Sequence, residues 1–149
     1  MTANPDRKPV EILLVEDDLA DIHLVEEGLR ESDVPNNLNV VRDGIEALAY
    51  LRGQGPYAAA VLPDLMLLDL KMPKKGGLEV LTEIKADSML RRIPVIVLTT
   101  SDAPDDILRS YDLQASLYIT KPENLDEFER VMGLVRDFCL TVVKLPPRE

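Results

Sequence analysis

The stretch Leu65-Met66-Leu67-Leu68-Asp69 runs apolar for four residues and then ends on a carboxylate. Two other stretches share this design: Ile12-Leu13-Leu14-Val15, which acids follow, and Pro94-Val95-Ile96-Val97-Leu98, which hydroxyls follow. Continuous apolar runs of this length are typical of parallel strands that helices cover on both faces. The three runs therefore predict the central strands of a parallel sheet.

Segments with apolar residues at helical spacing separate these runs, and two weaker strands are predicted at 38–41 and 117–119. Asp43 and Asn124 are placed to cap helices, and Gly53 is placed to end one. The order is βα repeated five times, which predicts an α/β fold with a five-stranded, doubly wound parallel sheet. The last helix is long, at about 125–142, and residues 54–63 form an unusually long connection of unpredicted conformation.

The charge balance of the chain is acidic, with 17 Lys and Arg against 27 Asp and Glu and a formal net charge of −10. This balance disfavours nucleic acid and anionic membranes, which bind cationic surfaces, and it is compatible with a protein partner or a divalent cation. The single Cys139 cannot form an internal disulfide, which suits a reducing compartment. No signal peptide or bilayer-spanning apolar run is evident. We therefore expect a cytoplasmic protein.

Side chains that carry chemistry follow four of the predicted strands: Glu16-Asp17-Asp18, Asp69, Thr99-Thr100-Ser101 and Thr120-Lys121-Pro122. In such sheets ligands bind at the carboxyl ends of the strands, so we expect these side chains to meet at one rim. Asp18 taken alone is read more simply as a helix cap. Carboxylates that share a site repel one another, and Mg²⁺ relieves that repulsion while binding carboxylate and phosphate oxygens.

A carboxylate at this rim can act as a nucleophile on phosphorus and form an aspartyl phosphate. Asp69 would attack, Lys121 and the metal would neutralise phosphoryl oxygens, and the Thr99 hydroxyl would hydrogen-bond another. The residues at the rim thus predict phosphoryl transfer to Asp69.

Four segments in order, ILLVEDD (12–18), LLDLKMPKKGG (67–77), VIVLTTS (95–101) and YITKP (118–122), resemble the receiver domain of two-component response regulators. The resemblance covers about residues 11–142 and implies the flavodoxin-like receiver fold. We accordingly predict an N-terminal extension at 1–10, a receiver domain at 11–143 and a tail at 144–149.

The resemblance implies a Mg²⁺ site and a phosphoacceptor. Glu16 and Asp17 match the acidic pair that binds the metal, and Asp69 matches the phosphoacceptor, itself also a metal ligand. Lys71 matches the position whose backbone carbonyl reaches the metal. Gly76-Gly77 stands where the family often has Asp-Gly, which predicts a looser loop.

The resemblance also implies a phosphoryl-binding and switching set. Thr99 matches the switch hydroxyl, Thr100 the small residue after it, Tyr118 the switch aromatic and Lys121 the lysine of the family. Relatives usually have a cis peptide bond before the proline that is Pro122 here, an isomer that X-Pro bonds tolerate.

Within the family, the opening segment (12–29), RDGIEALAYLRGQGPY (42–57), LTTSD (98–102) and TVVKLPP (141–147) resemble stand-alone regulators paired with phytochrome histidine kinases. That resemblance implies a histidine kinase partner and an output through protein binding. An intermediate role in a multistep phosphorelay is the alternative. Two other classes of protein fit this sequence less well. Aspartate-nucleophile phosphatases usually have a second aspartate where Lys71 stands. In a flavodoxin-type cofactor binder, the acids after the first strand would repel the phosphate of the cofactor.

The last helix carries two apolar stripes, and the first is suited to the core: Leu125, Phe128, Met132, Val135 and Cys139. The second stripe consists of Val131, Leu134, Phe138, Val142 and Leu145. A helix that is apolar on two sides usually buries both. We predict a homodimer through this helix with Leu134 and Phe138 at its centre, the alternative being a wider intramolecular contact under the tail.

Overall fold

Five parallel strands form a single sheet in the computed structural model, which describes residues 8–147. The strands are β1 (Val10–Val15), β2 (Asn36–Val41), β3 (Leu65–Leu68), β4 (Val95–Thr99) and β5 (Leu117–Thr120). Their order across the sheet is β2-β1-β3-β4-β5, so the winding reverses between β1 and β3. The predicted doubly wound parallel sheet is confirmed.

Five α-helices connect and follow the strands: α1 (Leu19–Arg30), α2 (Gly44–Leu51), α3 (Gly77–Ala86), α4 (Pro104–Asp112) and α5 (Leu125–Asp137). Three of them begin at a side-chain cap, since Asp18, Asp43 and Asn124 each accept the backbone N–H three residues on, at 3.0, 2.8 and 3.1 Å. Each cap satisfies a donor that has no partner inside the helix. Gly53 follows α2 at φ 63°, the left-handed conformation that commonly ends helices.

The two faces of the sheet pack against different helices. Along β1, Ile12 and Leu14 join the core formed with α1 and α5, whereas Leu13 and Val15 join the core formed with α2 and α3. This alternation follows from the two-residue period of a strand. Because both faces are covered, every residue of β3 and β4 is buried, as the continuous apolar runs predict.

The long connection after α2 is ordered by aromatic packing. Gly55–Tyr57 forms one 3₁₀ turn, and the Tyr57 ring lies 5.3 Å from the ring of Tyr50. The Tyr57 hydroxyl donates to Glu46, and the Tyr50 hydroxyl donates to the Val61 carbonyl at 3.3 Å. These contacts hold the connection against α2.

The last helix continues beyond α5 as a wider, π-helical segment, Phe138–Val142. The wider turn lets the adjacent Cys139 and Leu140 both enter the core, while Phe138 and Val142 remain exposed. The predicted extent of this helix is correct. The assignment of Leu125 to the buried stripe is wrong, since this first residue of α5 is 56% exposed.

The second stripe of the last helix divides into buried and exposed parts. Val131 and Leu145 pack partly against the core that α1 and α5 share, whereas Leu134, Phe138 and Val142 are exposed. Intramolecular packing therefore covers only part of this stripe. Within residues 8–147, no helix has both the length and the apolar character needed to cross a membrane.

Candidate functional site

The ends of β1, β3 and β5 carry the three central side chains of the site. Glu16 directly follows β1, Asp69 follows β3 and Lys121 follows β5. Each is fixed by a backbone hydrogen bond that extends the sheet: Glu16 N–H to the Val41 carbonyl at 3.0 Å, Asp69 N–H to Val15 at 3.0 Å, and Lys121 N–H to Thr99 at 2.7 Å. The geometry of the sheet thus brings these three side chains together at the carboxyl ends of the strands, as predicted.

Three carboxylates meet at this rim. Glu16, Asp17 and Asp69 each offer one oxygen, and the three oxygens lie within 4.8 Å of one another. Glu16 and Asp69 are buried and Asp17 is half-buried. Asp18, the adjacent acid, points into the cap of α1 instead. The predicted acidic pair is therefore brought to Asp69, and the simple interpretation of Asp18 as a cap is confirmed.

The Lys121 amine lies among carboxylates on three sides. It donates to Glu16, to Asp21 at 2.8 Å and to Asp69 at 3.3 Å. Burial alone would lower the pKa of Lys121, but the hydrogen bonds to Asp21 and Glu16 and the charge of Asp69 raise it above its ordinary value. These contacts favour the charged ammonium form of Lys121 inside the site.

The Glu16 carboxyl has a raised pKa. Burial is the main cause and the charge of Asp69 adds to it, so the pKa reaches about 7 although the hydrogen bond from Lys121 lowers it. The second carboxylate oxygen of Glu16 accepts the backbone N–H groups of Asp17 and Asp18 at 3.0 and 3.2 Å. These bonds fix the Glu16 side chain and shape the turn after β1.

The loop after β3 approaches Asp69 closely. The Lys71 backbone N–H donates to Asp69 at 3.3 Å, while the Lys71 side chain is exposed. A Cβ on Gly77 would lie 2.3 Å from the Asp69 carbonyl oxygen, and the Gly77 N–H donates to the Leu70 carbonyl at 3.0 Å. Glycine is therefore required at position 77 because the loop passes so close to the backbone of Asp69.

The predicted switch residues surround the start of the β4–α4 loop. The Thr99 side chain is fully buried, and its hydroxyl has no hydrogen-bond partner within the described part of the chain. Thr100 is exposed. The half-buried Tyr118 donates its hydroxyl to the Ser101 carbonyl at 2.7 Å, and the Tyr118 N–H donates to the Tyr111 hydroxyl at 3.2 Å. Tyr118 is thus tied to the loop that follows Thr99.

The peptide bond before Pro122 is trans, which differs from the cis isomer that the family resemblance implies. The trans form is the ordinary state of X-Pro bonds, and it is favoured by about 0.5–1 kcal/mol.

Two residues of the site were missed by sequence reasoning. Asp21, which the helical pattern puts away from the apolar face of α1, contacts the Lys121 amine, and Arg42 donates to the Asp17 carbonyl at 2.9 Å. Asp21 could have been suspected because it stands in the first turn of the helix that follows the acidic pair. Arg42, the residue after β2, gives no comparable signal. The predicted interface residues Leu134 and Phe138 lie outside the site, exposed on the last helix.

The comparison with known proteins agrees with this geometry. A family model described as the response regulator receiver domain matches residues 12–132. Response regulator Rcp1 of Synechocystis sp. is 47% identical over 138 residues, which cover 93% of this chain and 94% of Rcp1.

Two solved structures share the fold closely. The phosphorylated cyanobacterial phytochrome response regulator RcpA matches with a TM-score of 0.91 at 51% identity, covering 94% of this chain and 100% of RcpA. The Mn²⁺-bound form of Rcp1 matches with a TM-score of 0.91 at 47% identity, covering 93% of this chain and 100% of that structure.

Proposed function

Because the chain belongs to the response regulator receiver domain family, we propose that it receives a phosphoryl group on Asp69 from a phytochrome-type histidine kinase. The observation that carries this proposal is the convergence of the Glu16, Asp17 and Asp69 carboxylates within 4.8 Å, with the Lys121 amine donating to Asp69. A nucleophilic carboxylate beside a fixed ammonium provides the positioning and charge neutralisation that phosphoryl transfer needs.

Asp69 is the nucleophile in this proposal. One carboxylate oxygen attacks the phosphorus of a phosphohistidine on the kinase, and a P–O bond forms as the P–N bond breaks and its electrons return to the imidazole. The backbone N–H of Lys71 donates to the Asp69 carboxylate at 3.3 Å, and the Lys121 amine donates to its other oxygen at the same distance. These two donors hold the carboxylate at the end of β3.

The three clustered carboxylates fit a divalent cation. They outnumber the one ammonium among them, and oxygen ligands of this kind suit Mg²⁺. Glu16, Asp17 and Asp69, with the backbone carbonyl of Lys71, would hold the ion. When bound, Mg²⁺ supplies positive charge to the phosphoryl oxygens.

The remaining predicted residues would receive the phosphoryl group and transmit its arrival. Lys121 neutralises one phosphoryl oxygen, and the buried Thr99 hydroxyl donates a hydrogen bond to another. The small Thr100 leaves access to the site. Tyr118, bonded to the Ser101 carbonyl, changes position when Thr99 moves. The support for this coupling is that Thr99 and Ser101 belong to one short segment.

The phytochrome assignment rests on similarity. RcpA, 51% identical over 94% of this chain, is a cyanobacterial phytochrome response regulator. We propose the same class of kinase for this protein, and an output through protein–protein interaction without enzymatic activity beyond its own phosphorylation and dephosphorylation. The net charge of −10 supports a role that involves neither nucleic acid nor a membrane surface.

We further propose a homodimer through the last helix, supported by the exposure of Leu134 and Phe138. The proposed domain bounds are 11–143 for the receiver, with an extension at 1–10 and a tail at 144–149. Residues 1–7 and 148–149 lie outside the described residues.

Phosphorylation of Asp69 is tested with purified protein and a small phosphodonor such as acetyl phosphate, with intact-mass analysis as the readout. We expect labelling of the wild type with Mg²⁺, none with a chelator and none for Asp69→Asn. Asp18→Asn is the matched control, because it removes a neighbouring carboxylate that caps α1, and it should label like the wild type. Equal labelling of Asp69→Asn would overturn the assignment.

The partner is tested by transfer from autophosphorylated kinases. A phytochrome-type histidine kinase should lose its label to the wild type within seconds to minutes, while a kinase with an unrelated sensor transfers much more slowly. Equal transfer from both kinases would leave the phytochrome pairing wrong while the phosphoacceptor assignment stands.

A further inference from the structure

The Lys121 amine lies nearer to the carboxylates at the start of the chain than to Asp69. It donates to Asp21 at 2.8 Å and to Glu16 at a still closer approach, whereas its distance to the Asp69 oxygen is 3.3 Å. A lysine ammonium has three N–H donors. All three are therefore engaged, and the contact with the proposed phosphoacceptor is the longest.

Asp21 differs from the other two carboxylates in its place and role. It lies in the first turn of α1, outside the set of Glu16, Asp17 and Asp69 that converges for a metal. Its side chain is only 22% exposed, so its charge is partly shielded from solvent and acts strongly on Lys121. Asp21 therefore competes for the charge of Lys121 without being needed for the cation.

Phosphorylation of Asp69 would add negative charge within reach of the Lys121 amine. The phosphoryl oxygens then need the ammonium that Asp21 holds, and the Asp21 carboxylate repels them across it. Both effects oppose the phosphorylated state. Replacing Asp21 with Asn removes the charge but keeps an oxygen that accepts a hydrogen bond from Lys121, so the amine stays oriented.

Resting on the proposed function of Asp69 and Lys121, we propose that Asp21 is a positioning residue that holds the Lys121 amine on the α1 side of the site and weakens its engagement of a phosphoryl group. Asp21 thereby sets how readily the regulator is switched on.

The test measures the affinity of the full chain for beryllofluoride, an anionic mimic of the phosphoryl group, by fluorine NMR at saturating Mg²⁺. Asp21→Asn should bind the mimic about fivefold more tightly than the wild type, the size expected for loss of one partly shielded charge interaction. Asp18→Asn is the matched control: it removes a carboxylate of the same segment that makes no contact with Lys121, keeps an Asn cap for α1, and should stay within about twofold of wild type.

A second arm separates action through Lys121 from a general effect on the fold. In a Lys121→Gln background the Asp21→Asn change should lose most of its effect, because the two substitutions then act on one interaction. A merely structural role would give the same change in both backgrounds.

The outcomes are distinct. Unchanged or weaker mimic binding by Asp21→Asn, or an equal gain from Asp18→Asn, would overturn the role of Asp21. Failure of the wild type to bind the mimic at all, together with absent labelling of Asp69, would instead overturn the proposed function.

Discussion

Thr99 ends β4 with a side chain that is fully buried, and its hydroxyl has no hydrogen-bond partner among residues 8–147. An unsatisfied buried hydroxyl costs about 1–3 kcal/mol. This unsatisfied hydroxyl destabilises the unphosphorylated protein, and it lies at the position that the family resemblance assigns to the switch hydroxyl. The unphosphorylated form is therefore destabilised locally by the group that phosphorylation would satisfy.

Thr99→Val should raise the free energy of unfolding by about 1 kcal/mol in the absence of Mg²⁺ and phosphodonor, because a methyl replaces the unpaired hydroxyl. Urea denaturation measures this. The same variant should bind beryllofluoride more weakly, since the mimic loses a donor. Thr100→Val, at the exposed neighbouring position, serves as the control and should change stability by less than about 0.5 kcal/mol. A less stable Thr99→Val protein would mean that the hydroxyl is already satisfied.

Individual site residues differ in how far the sequence predicts them. The proximity of Glu16, Asp69 and Lys121 was predictable, because each follows a strand and the carboxyl ends of parallel strands lie at one edge. The contact of Asp21 with Lys121 was not, since it depends on how α1 is rotated over the sheet. The pairing of parallel strands determines where the strand ends lie. The rotation of a helix over the sheet is determined by side-chain packing along the whole length of the helix.

At the scale of elements, α4 is the most weakly attached helix of the sheet. Ser110 is its one buried residue among Pro104–Asp112. The loop before it is held by the Tyr118 hydroxyl on the Ser101 carbonyl. An element with few buried contacts opens at low free energy. The α4 segment and its loop are therefore the suitable moving part of a switch.

Tyr118→Phe should loosen this element. Loss of the 2.7 Å hydrogen bond to the Ser101 carbonyl should speed amide hydrogen exchange over residues 101–112 by about five- to tenfold, in line with about 1 kcal/mol per hydrogen bond. Tyr57→Phe is the control, because it removes a tyrosine hydrogen bond on the α2 side and should leave that segment unchanged. Exchange in 101–112 that is insensitive to Tyr118→Phe would contradict the coupling.

Element boundaries were predictable where a local signal exists. Asp18, Asp43 and Asn124 mark helix starts because a short polar side chain satisfies a free N–H group in that place. The π-helical segment Phe138–Val142 and the 3₁₀ turn Gly55–Tyr57 were not predicted. Both arise from tertiary packing, of Cys139 and Leu140 into the core and of Tyr57 onto Tyr50, which no local pattern encodes.

For the molecule as a whole, an acidic chain with a carboxylate cluster should gain stability from a divalent cation. A ligand that binds only the native state raises the free energy of unfolding, by about 2.7 kcal/mol at a hundredfold excess over its Kd. Millimolar Mg²⁺ should therefore raise the thermal midpoint.

The increase in thermal midpoint that Mg²⁺ produces should be much smaller in Asp17→Ala than in the wild type, and little changed in Asp18→Ala. Asp17 belongs to the converging oxygens, whereas Asp18 caps α1. Asp18→Ala should lower the baseline by about 1 kcal/mol through loss of the cap, so the increment and not the midpoint is compared. A larger loss of increment in Asp18→Ala would mean that the acidic pair is assigned one residue out of register.

At this scale we also predict self-association, because the chain leaves apolar surface uncovered. Leu134, Phe138 and Val142 are 56%, 52% and 67% exposed along one side of the last helix. Leu108 of α4 and Leu117 of β5 are exposed as well. Exposed apolar side chains that recur along one helix indicate an interaction surface, and a symmetric dimer would bury the same patch on both copies.

The arginines that flank this surface already have partners within the chain. Arg136 donates to Glu31 at 3.1 Å and to Asp137 at 2.9 Å, and Arg130 donates to Glu127 at 3.0 Å. Ionic contacts across a dimer would have to compete with these bonds, and exposed ion pairs contribute little in any case. The burial of Leu134 and Phe138 must therefore supply most of the association free energy.

Sedimentation velocity at micromolar concentration, with and without phosphodonor, tests this dimer. The wild type should sediment as a dimer in at least one of the two states, whereas Phe138→Asp and Leu134→Asp should be monomeric in both, because each buries a charge at the centre of the apolar contact. Ile45→Asp is the matched control, since Ile45 is 55% exposed on α2, which packs against the opposite face of the sheet from the last helix, and it should associate like the wild type. A wild type that stays monomeric in both states would leave the exposed stripe to a different partner, and dissociation by Ile45→Asp would place the interface elsewhere.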